Sequence, residues 1–371
     1  MLKYIDHPSI KLAKLLVKEP SISPKDFRCQ QILAEKLIQF GFEIDSWKIN
    51  DTSNLLAIKD KGPPYFLFSA HTDVVPTGDI IQWKHPPFEP TIVEDKFYGR
   101  GIVDMKGALA AFITALEVFD HVNGSILVAI TSDEQGAAIN GTKSIVEKII
   151  EKNISVDYCL IGSPSSNKSL ADCIKIGRRG SLNGFITIKG ALGHVAYPGF
   201  NVLHELDTLI SLLKNIKIPN DQSNIDFNLT YLSAGDGTTN VIPAYVDMQF
   251  NFRYPHTIDY LDIISTVQEL LEKLDLNYQI NWNHGAMPYI CKKDFFANKI
   301  KNVLHDKYGI NSVINTTGGA SDGRFLNALN CQIAELGLCT EKINEIDEYA
   351  SVKDIIKLSE IYNQILKTFL K

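Results

Sequence analysis

The sequence predicts an α/β protein built on a mixed, largely parallel sheet flanked by helices. Short apolar runs bounded by turn residues predict buried strands at Tyr65–Ser69, Ser125–Thr131 and Asp157–Ile161. Apolar residues at helical spacing predict helices between them, at about 105–119 and 141–152. Because neighbouring parallel strands need a long crossover connection, this alternation of strand and helix favours a parallel sheet.

The same helical spacing extends this α/β pattern at both ends of the chain. Two helices, at about 6–18 and 27–41, precede the first strand. Two more, at about 293–308 and 352–369, lie in the C-terminal part with a strand and a glycine-rich turn between them. The N-terminal and C-terminal parts are therefore expected to belong to one sheet-and-helix domain.

The middle of the chain has a different pattern. Leu182–Lys189 and Val246–Arg253 have the character of antiparallel strands. Helices are predicted between and after them, at about 201–215 and 257–274. We expect a discontinuous catalytic-type domain over 1–178 and 290–371, interrupted by an inserted α+β domain over 179–289.

Composition and charge exclude several classes of protein. The chain has 371 residues, of which 45% are hydrophobic, and a net charge of −6. Proteins that bind nucleic acid or membrane surfaces show a basic excess instead. No apolar run approaches the roughly 20 residues that span a bilayer, and six scattered cysteines without a CxxC pair are typical of reduced thiols. A cytoplasmic location is the prediction.

Polar clusters follow the predicted strands, where sheets of this class place their ligand sites. His71 and Asp73 suit a metal-binding imidazole with a carboxylate that orients it. Asp104 precedes a helix, and Asp133–Gln135 follow a buried strand, where a carboxylate could act as general base on a metal-bound water. Taken singly, these residues also fit a polar turn, a helix N-cap and a solvated acidic loop.

Three further segments contain candidate binding residues. His194, in the inserted domain, could polarise a carbonyl across a cleft or a subunit boundary, although a lone loop histidine is more often structural. Arg178 and Arg179 carry guanidinium groups suited to carboxylates. Thr317–Arg324 is predicted to open a helix, whose N-terminal N–H groups favour an anion. The last two segments could equally be surface turns.

Eight motifs in a fixed order give the chain a resemblance to the M20 metallopeptidase family, closest to its succinyl-diaminopimelate desuccinylase branch. They span essentially the whole chain and are HTDVVPTGD, GRGIVDMKG, DEQGAAINGT, GRRGS, GHVAYP, TTNVIP, FNFRY and TGGASDGRF. The resemblance implies a zinc-peptidase-like domain with two zinc ions and a lid domain that forms a homodimer. It also implies hydrolysis of an N-succinyl amide in lysine and cell-wall precursor synthesis, and hence a small anionic N-acyl amino acid as ligand.

The resemblance also implies roles for individual residues. His71 and Asp104 match zinc ligands, of which Asp104 bridges both ions, and Asp73 matches the residue that orients the histidine. Glu134 matches the general base, and His194 matches the lid histidine that reaches the partner subunit's site. Positions that contact substrate are matched by Lys175, Arg178, Ser181, Tyr197, Asn240, Arg253 and Gly319.

Three positions depart from the family's ligand set. Gln135 and Ser163 stand where the family has glutamate ligands, and Asn344 stands where it has a histidine ligand. No shift of the alignment restores that histidine, because His305 is the last one in the chain. Ala320 also replaces a threonine that usually touches substrate. We therefore expect no dizinc centre, and at most one weakly bound divalent metal.

Three hypotheses remain open. In the first, the protein binds an N-acyl amino acid without zinc-dependent hydrolysis, or processes it by metal-independent chemistry through Glu134 and His194. In the second, it is an active deacylase that uses one metal or substitute ligands, drawn from Cys339, Glu341, Glu345 and Asp347. In the third, it is a non-catalytic binding or regulatory paralogue that pairs with an active homologue.

Overall fold

A computed structural model describes residues 2–120, 123–197, 199–218, 221 and 223–370. The chain divides into two compact units. The first comprises Met1–Gly177, Cys291–Thr317 and Ser321–Lys371, and the second comprises Arg178–Ile290 and Gly318–Ala320. Within the described ranges, no helix is both long and apolar enough to cross a membrane.

The strands are numbered in chain order. They are β1 (Glu43–Ile49), β2 (Thr52–Lys59), β3 (Tyr65–His71), β4 (Thr91–Val93), β5 (Lys96–Tyr98), β6 (Ser125–Thr131), β7 (Tyr158–Ile161), β8 (Cys173–Lys175), β9 (Gly177–Arg178), β10 (Gly180–Lys189), β11 (Gly193–His194), β12 (Asp226–Ala234), β13 (Val241–Ile242), β14 (Tyr245–Tyr254), β15 (Asn277–Ala286), β16 (Tyr289–Ile290), β17 (Val313–Asn315), β18 (Gln332–Glu335) and β19 (Tyr349–Ser351).

The α-helices are numbered in the same way. They are α1 (Leu2–Ile5), α2 (Pro8–Lys18), α3 (Cys29–Gln39), α4 (Gly107–Glu117), α5 (Thr142–Glu151), α6 (Leu206–Lys214), α7 (Tyr260–Lys273), α8 (Phe295–Tyr308), α9 (Gly323–Leu326) and α10 (Val352–Phe369). Single 3₁₀ turns occur at Ile80–Gln82, Val202–Glu205, Asn327–Leu329 and Thr340–Lys342.

The first unit contains a mixed sheet in the order β1-β2-β6-β3-β7-β18-β8-β17. Strand β3 pairs in parallel with both β6 and β7, and β18 continues the parallel arrangement beside β7. The N-terminal hairpin of β1 and β2 joins the sheet antiparallel to β6. The predicted fold class, a largely parallel sheet flanked by helices, is confirmed.

Helix α4 fills the core of this unit because alanine and leucine predominate in it and nearly every side chain is buried. The ring of Phe112 stacks on that of Phe68 from β3, with centroids 3.7 Å apart. Tyr362 of α10 meets both rings edge-on. The central sheet strands are thereby held against two helices, and their carboxyl ends are fixed in position.

The second unit contains an antiparallel sheet in the order β12-β14-β10-β15. Alternate residues of β10, including Leu182 and Ile186, are buried with residues of α6 and α7 in a separate apolar core. The residues between them point to the opposite face of the sheet, since side chains alternate along a strand. That face carries polar side chains, among them Ser181 and Asn183.

Gly184 in β10 is required by the close approach of an aromatic ring. A Cβ atom there would lie 2.4 Å from ring atoms of Phe250 on the paired strand. We expect Gly184→Ala to destabilise the protein by about 1–3 kcal/mol, the usual cost of overpacking. Chemical denaturation would measure the loss. Gly199→Ala, where nothing lies within 4 Å, is the control and should change little.

Candidate functional site

The candidate site lies at the carboxyl ends of β3 and β6. His71 ends β3 and is paired in register with Thr131, the last residue of β6. The two following loops therefore leave the sheet side by side. This arrangement brings together the sequence-predicted residues of the first unit, His71, Asp73, Asp104 and Glu134, and places Gln135 among them.

The His71 ring is buried and held at both nitrogens. Its Nε2 atom lies 3.2 Å from Oδ1 of Asp104, and its Nδ1 atom lies 2.9 Å from the backbone carbonyl of Asp73. Burial opposes a charged imidazolium, but the contacts with Asp104 and Asp73 outweigh it and raise the pKa of His71 well above its usual value. Both ring nitrogens face acceptor oxygens, an arrangement that favours the protonated imidazolium.

Asp73 holds the turn that carries Glu134 and Gln135. Its carboxylate accepts the backbone N–H of Glu134 at 3.2 Å and that of Gln135 at 2.9 Å. The same carboxylate is 3.4 Å from Nδ1 of His71, farther than the Asp73 carbonyl. Asp73 thus orients the histidine mainly through its backbone, while its side chain positions the neighbouring acidic turn.

Asp104 lies in the turn Ile102–Lys106, before helix α4 begins at Gly107. The N-cap interpretation of Asp104 is therefore wrong, because its backbone is extended and its carboxylate points to other residues. Oδ1 meets His71, and Oδ2 accepts a 2.8 Å hydrogen bond from Nε2 of Gln135. Both oxygens of the carboxylate that would bridge two metals are bonded within the protein.

Glu134 lies beside the histidine, with Oε2 3.7 Å from Nε2 of His71 and only 14% of its side chain exposed. Burial raises the pKa of Glu134 to about 8; the positive charge of His71 opposes this shift, and the nearby Asp322 adds to it. A carboxyl with such a pKa serves as base or acid near neutrality.

Asp322 is a residue of this site whose role the sequence did not indicate. It is buried, its Oδ2 accepts a 2.6 Å hydrogen bond from Oγ1 of Thr142, and its Oδ1 has no partner among the described residues. Burial raises its pKa to about 6. Its segment was expected to open a helix, but α9 has only four residues, too few for a helix-terminal anion site.

The three residues that depart from the family's ligand set lie in different parts of the first unit. Gln135 is in the site and bonded to Asp104, as described above. Ser163 is buried in the loop after β7. Asn344 is exposed with a positive φ of 60°, and no described hydrogen bond links it to His71 or Asp104.

The proposed substitute ligands are engaged elsewhere or exposed. Oδ1 of Asp347 accepts the backbone N–H groups of residues 84 and 85, and Glu345 pairs with Lys342 at 2.8 Å. Burial raises the pKa of the Cys339 thiol to about 12, which disfavours the thiolate that binds metals. Glu341 is exposed. Across the described residues, no group of three or more His, Cys, Asp or Glu could hold a metal ion.

Lys175 is the predicted substrate-contacting residue of the first unit. It is buried, and its Nζ donates to Oδ1 of Asn315 at 2.8 Å and to Oγ1 of Thr317 at 2.6 Å. Both acceptors are neutral, so neither forms an ion pair with the ammonium group, which has one hydrogen left for a further acceptor.

The second unit brings His194, Tyr197 and Asn240 into one region. The rings of His194 and Tyr197 are 5.6 Å apart, and the Asn240 carbonyl accepts the N–H of Val195 at 3.2 Å. Tyr197 is 76% exposed, so its side chain is accessible to a ligand or partner. Pro198, the last residue of the GHVAYP motif, lies outside the described residues.

The other predicted contacts of the second unit lie near its sheet. Arg178 and Ser181 are buried, and Ser181 is directly paired with Arg253 on the neighbouring strand. Gly319 is exposed and belongs to this unit together with Gly318 and Ala320.

Comparison with known proteins establishes the family. Residues 67–368 match the model of peptidase family M20/M25/M40, so the chain belongs to the M20 peptidase family. It is 39% identical to the succinyl-diaminopimelate desuccinylase of Acinetobacter baumannii (strain ACICU), over 98% of each chain. It is 40% identical to that of Psychromonas ingrahamii, over 98% of this chain and 99% of the relative.

Solved structures share the fold. An M20 family metallo-carboxypeptidase from Sulfolobus solfataricus matches with a TM-score of 0.75 at 17% identity, over 97% of this chain and 99% of the other. At this identity the likeness concerns the fold alone. The resemblance to the M20 family is confirmed by the family model, and desuccinylases are among the relatives that the chain matches.

The donor residues present here do not fit the pair of zinc ions that the resemblance implies. Zinc is bound by histidine, cysteine and carboxylate groups, with three protein ligands in catalytic sites. At three of the five positions that the resemblance matches to zinc ligands this chain has a glutamine, a serine and an asparagine, and Gln135 donates its amide hydrogen to the Asp104 carboxylate. Neutral amide and hydroxyl oxygens suit hard ions rather than zinc.

Proposed function

We propose that this chain is a succinyl-diaminopimelate desuccinylase-like M20 protein that binds an anionic N-acyl amino acid and does not assemble the dizinc centre. The observation that carries the proposal is the 2.8 Å hydrogen bond from Gln135 to Asp104. A glutamate at that position would repel Asp104 and require a cation between them. The amide is uncharged and donates a hydrogen bond to the carboxylate instead, so the two residues are stable together without metal.

Charge supports the same conclusion. The five ligand positions of the family supply three carboxylates and two imidazoles to two dications. The same positions here supply one carboxylate, from Asp104, and one imidazole, from His71. His71 and Asp104 also bond to each other at 3.2 Å. Since losing even an indirect support of a ligand costs about 10–100-fold in metal affinity, losing three ligands costs more.

The cationic residues support an anionic ligand. In the first unit, the two hydrogen-bond acceptors of the Lys175 ammonium group are neutral. In the second unit, Asp226 lies opposite Arg253 on the neighbouring strand but forms its ion pair with Arg179, and the guanidinium of Arg253 suits bidentate carboxylate binding. The N-succinyl amino acid named by the relatives has several carboxylates and is therefore the first ligand to test.

Catalysis without the metal pair is expected to be slow. A metal lowers the pKa of bound water from about 15.7 to about 7, and Glu134 alone cannot do so. Metal-independent chemistry through Glu134 and His194 would therefore suit a more reactive acyl compound better than an ordinary amide. Binding without turnover is the simpler form of the proposal.

Assembly as a homodimer in the cytoplasm is part of the proposal. Strand β12 is at the edge of its sheet, and it exposes Leu229, Tyr231 and Leu232. An exposed edge strand with apolar side chains is a natural template for pairing with a second chain. Sedimentation analysis of the purified protein would show a dimer, and a monomer at micromolar concentration would contradict this part.

A calorimetric zinc titration of the purified, metal-stripped protein tests the central proposal. We expect no pair of tight sites and no chelator-sensitive hydrolysis of N-succinyl-L,L-diaminopimelate, while the same compound binds in a separate titration. Two tight zinc sites would refute the loss of the dizinc centre. Turnover abolished by chelator and restored by one equivalent of metal would instead support the one-metal deacylase.

A further inference from the structure

Five polar side chains lie in two adjacent rows on the open face of the second unit's sheet. Ser181 of β10 is paired with Arg253 of β14, and two residues further along Asn183 is paired with Asn251. Asn183 is also paired with Asn283 of β15 on its other side. Because residues two apart on a strand share a face, all five side chains point the same way.

Hydrogen bonds connect these side chains in one direction. Nδ2 of Asn183 donates to the backbone carbonyl of Asn283 at 3.4 Å. Nδ2 of Asn251 donates both to Oδ1 of Asn183, at 2.8 Å, and to Oγ of Ser181, at 2.9 Å. A chain of donors and acceptors therefore runs from a backbone carbonyl to the serine hydroxyl.

The backbone carbonyl of Asn283 sets the direction of this series of hydrogen bonds, because a carbonyl can only accept. Asn183 must offer its amide nitrogen to Asn283, so its Oδ1 faces Asn251. Asn251 must then present its amide nitrogen, whose second hydrogen goes to Ser181. One of the two acceptor positions of the serine oxygen is thereby filled, and the serine proton must point away from Asn251.

The surroundings of Ser181 favour an external acceptor for that proton. Within the described part of the chain, no acceptor is paired with the Ser181 hydroxyl. A register shift between β10 and β15 puts Gly285 beside it, where even a Cβ atom would be 3.5 Å from Oγ. The neighbouring Arg253 also has only hydrogens to donate. Burial, and to a smaller extent the positive charge of Arg179, lower the pKa of Arg253. Arg179 itself is paired with Asp226.

We infer that Asn251, held by Asn183, is a positioning residue that fixes Ser181 as a hydrogen-bond donor. A ligand group that takes the Ser181 proton and also contacts Arg253, which can only donate, is therefore an acceptor, such as a carboxylate or an acyl carbonyl. This inference deepens the proposed function by naming the ligand chemistry at one point, and it rests on that proposal only for the choice of probe.

Calorimetric binding of N-succinyl-L,L-diaminopimelate and of succinate to the full chain tests this inference. Ser181→Ala should weaken binding by about tenfold or more, as expected for one hydrogen bond to a charged group. Asn251→Asp should weaken it equally, because the new carboxylate would accept the serine proton. Asn281→Asp, on the same face in the next row, adds the same charge without touching Ser181 and should stay within about twofold.

A double-mutant cycle separates positioning from general damage to the sheet. Asn251→Leu removes the polarity without adding charge and should cost less than Ser181→Ala, and adding it to Ser181→Ala should cost nothing further. Asn183→Leu, which frees Asn251 to rotate, gives a second route to the same measurement if an Asn251 variant does not fold.

Additive losses in the cycle would overturn the inference, as would Asn251→Asp behaving like Asn281→Asp. Failure of both probes to bind the parent protein would also count against it, because a site that offers hydrogen-bond donors should bind these carboxylate compounds. Tight binding of two zinc ions would refute the proposed function but would leave the outcome of this cycle unchanged, so the two failures are distinguishable.

Discussion

Restoring three side chains is expected to convert this protein into one that binds two zinc ions. The triple variant combines Gln135→Glu, Ser163→Glu and Asn344→His. It returns two carboxylates and one imidazole to a site that keeps His71 and Asp104. Because an indirect support of a ligand is worth about 10–100-fold in affinity, three direct ligands should raise zinc affinity by more than about a thousandfold.

The decisive step in this variant is Gln135→Glu. The amide of Gln135 now donates to Oδ2 of Asp104, and a glutamate would place two carboxylates in that contact. Two such groups cannot both remain ionised at that distance unless a cation lies between them. The metal would therefore be favoured twice, by the new ligand and by relief of the repulsion.

Metal analysis after dialysis, together with a zinc titration, would measure the result. We expect about two zinc ions per chain in the triple variant and fewer than one in the parent. Adding His71→Ala to the triple variant should remove at least one of them, which shows that the metal is at this site. A triple variant that binds no more zinc than the parent would show that these three residues are not the cause.

The sequence predicted the first unit well because its signals are local. The strands Tyr65–His71 and Ser125–Thr131 are buried along almost their whole length, so a continuous apolar run was sufficient to locate them. The polar residues that follow had to meet at one edge, since the two strands are parallel neighbours. That rule brought His71 and the turn Asp133–Gln135 together as candidates, and the family resemblance then singled out Glu134.

What the sequence could not show depends on contacts between distant segments. The bond between Gln135 and Asp104 joins residues 31 positions apart, and neither residue carries a local sign of the other. Asp322 reaches the site from a segment 180 residues beyond its partner Thr142. The start of α4 was predicted two residues early because the backbone at Asp104 and Met105 is not helical, although the residues there fit a helical pattern.

Glu348 is the most consequential of these distant contacts, and its loss should strongly destabilise the protein. Its carboxylate pairs with the buried Arg100 at 2.8 Å and accepts the backbone N–H groups of Gly101, at 3.1 Å, and Val103, at 2.9 Å. Glu348→Ala would leave a buried guanidinium and two buried N–H groups without this acceptor. Removing one partner of a buried ion pair typically costs about 3–5 kcal/mol.

Chemical denaturation of the Glu348 variants would measure that loss, and a graded series makes it specific. Glu348→Gln keeps the size and one acceptor oxygen, so it should cost less than the alanine variant. Glu345→Gln removes a carboxylate from an exposed pair with Lys342 and should change stability little. Equal stability of the alanine variant and this control would contradict the buried-pair argument.

Replacing Glu348 should also alter the geometry of the candidate site, since Glu348 holds the backbone on the N-terminal side of Asp104. Without it, the turn Ile102–Lys106 loses the bonds that fix Gly101 and Val103, and the Asp104 carboxylate is no longer held against His71 and Gln135. In the zinc-restoring triple variant, Glu348→Gln should therefore weaken zinc binding although no ligand has changed. Unchanged affinity would mean that the turn is held by its packing alone.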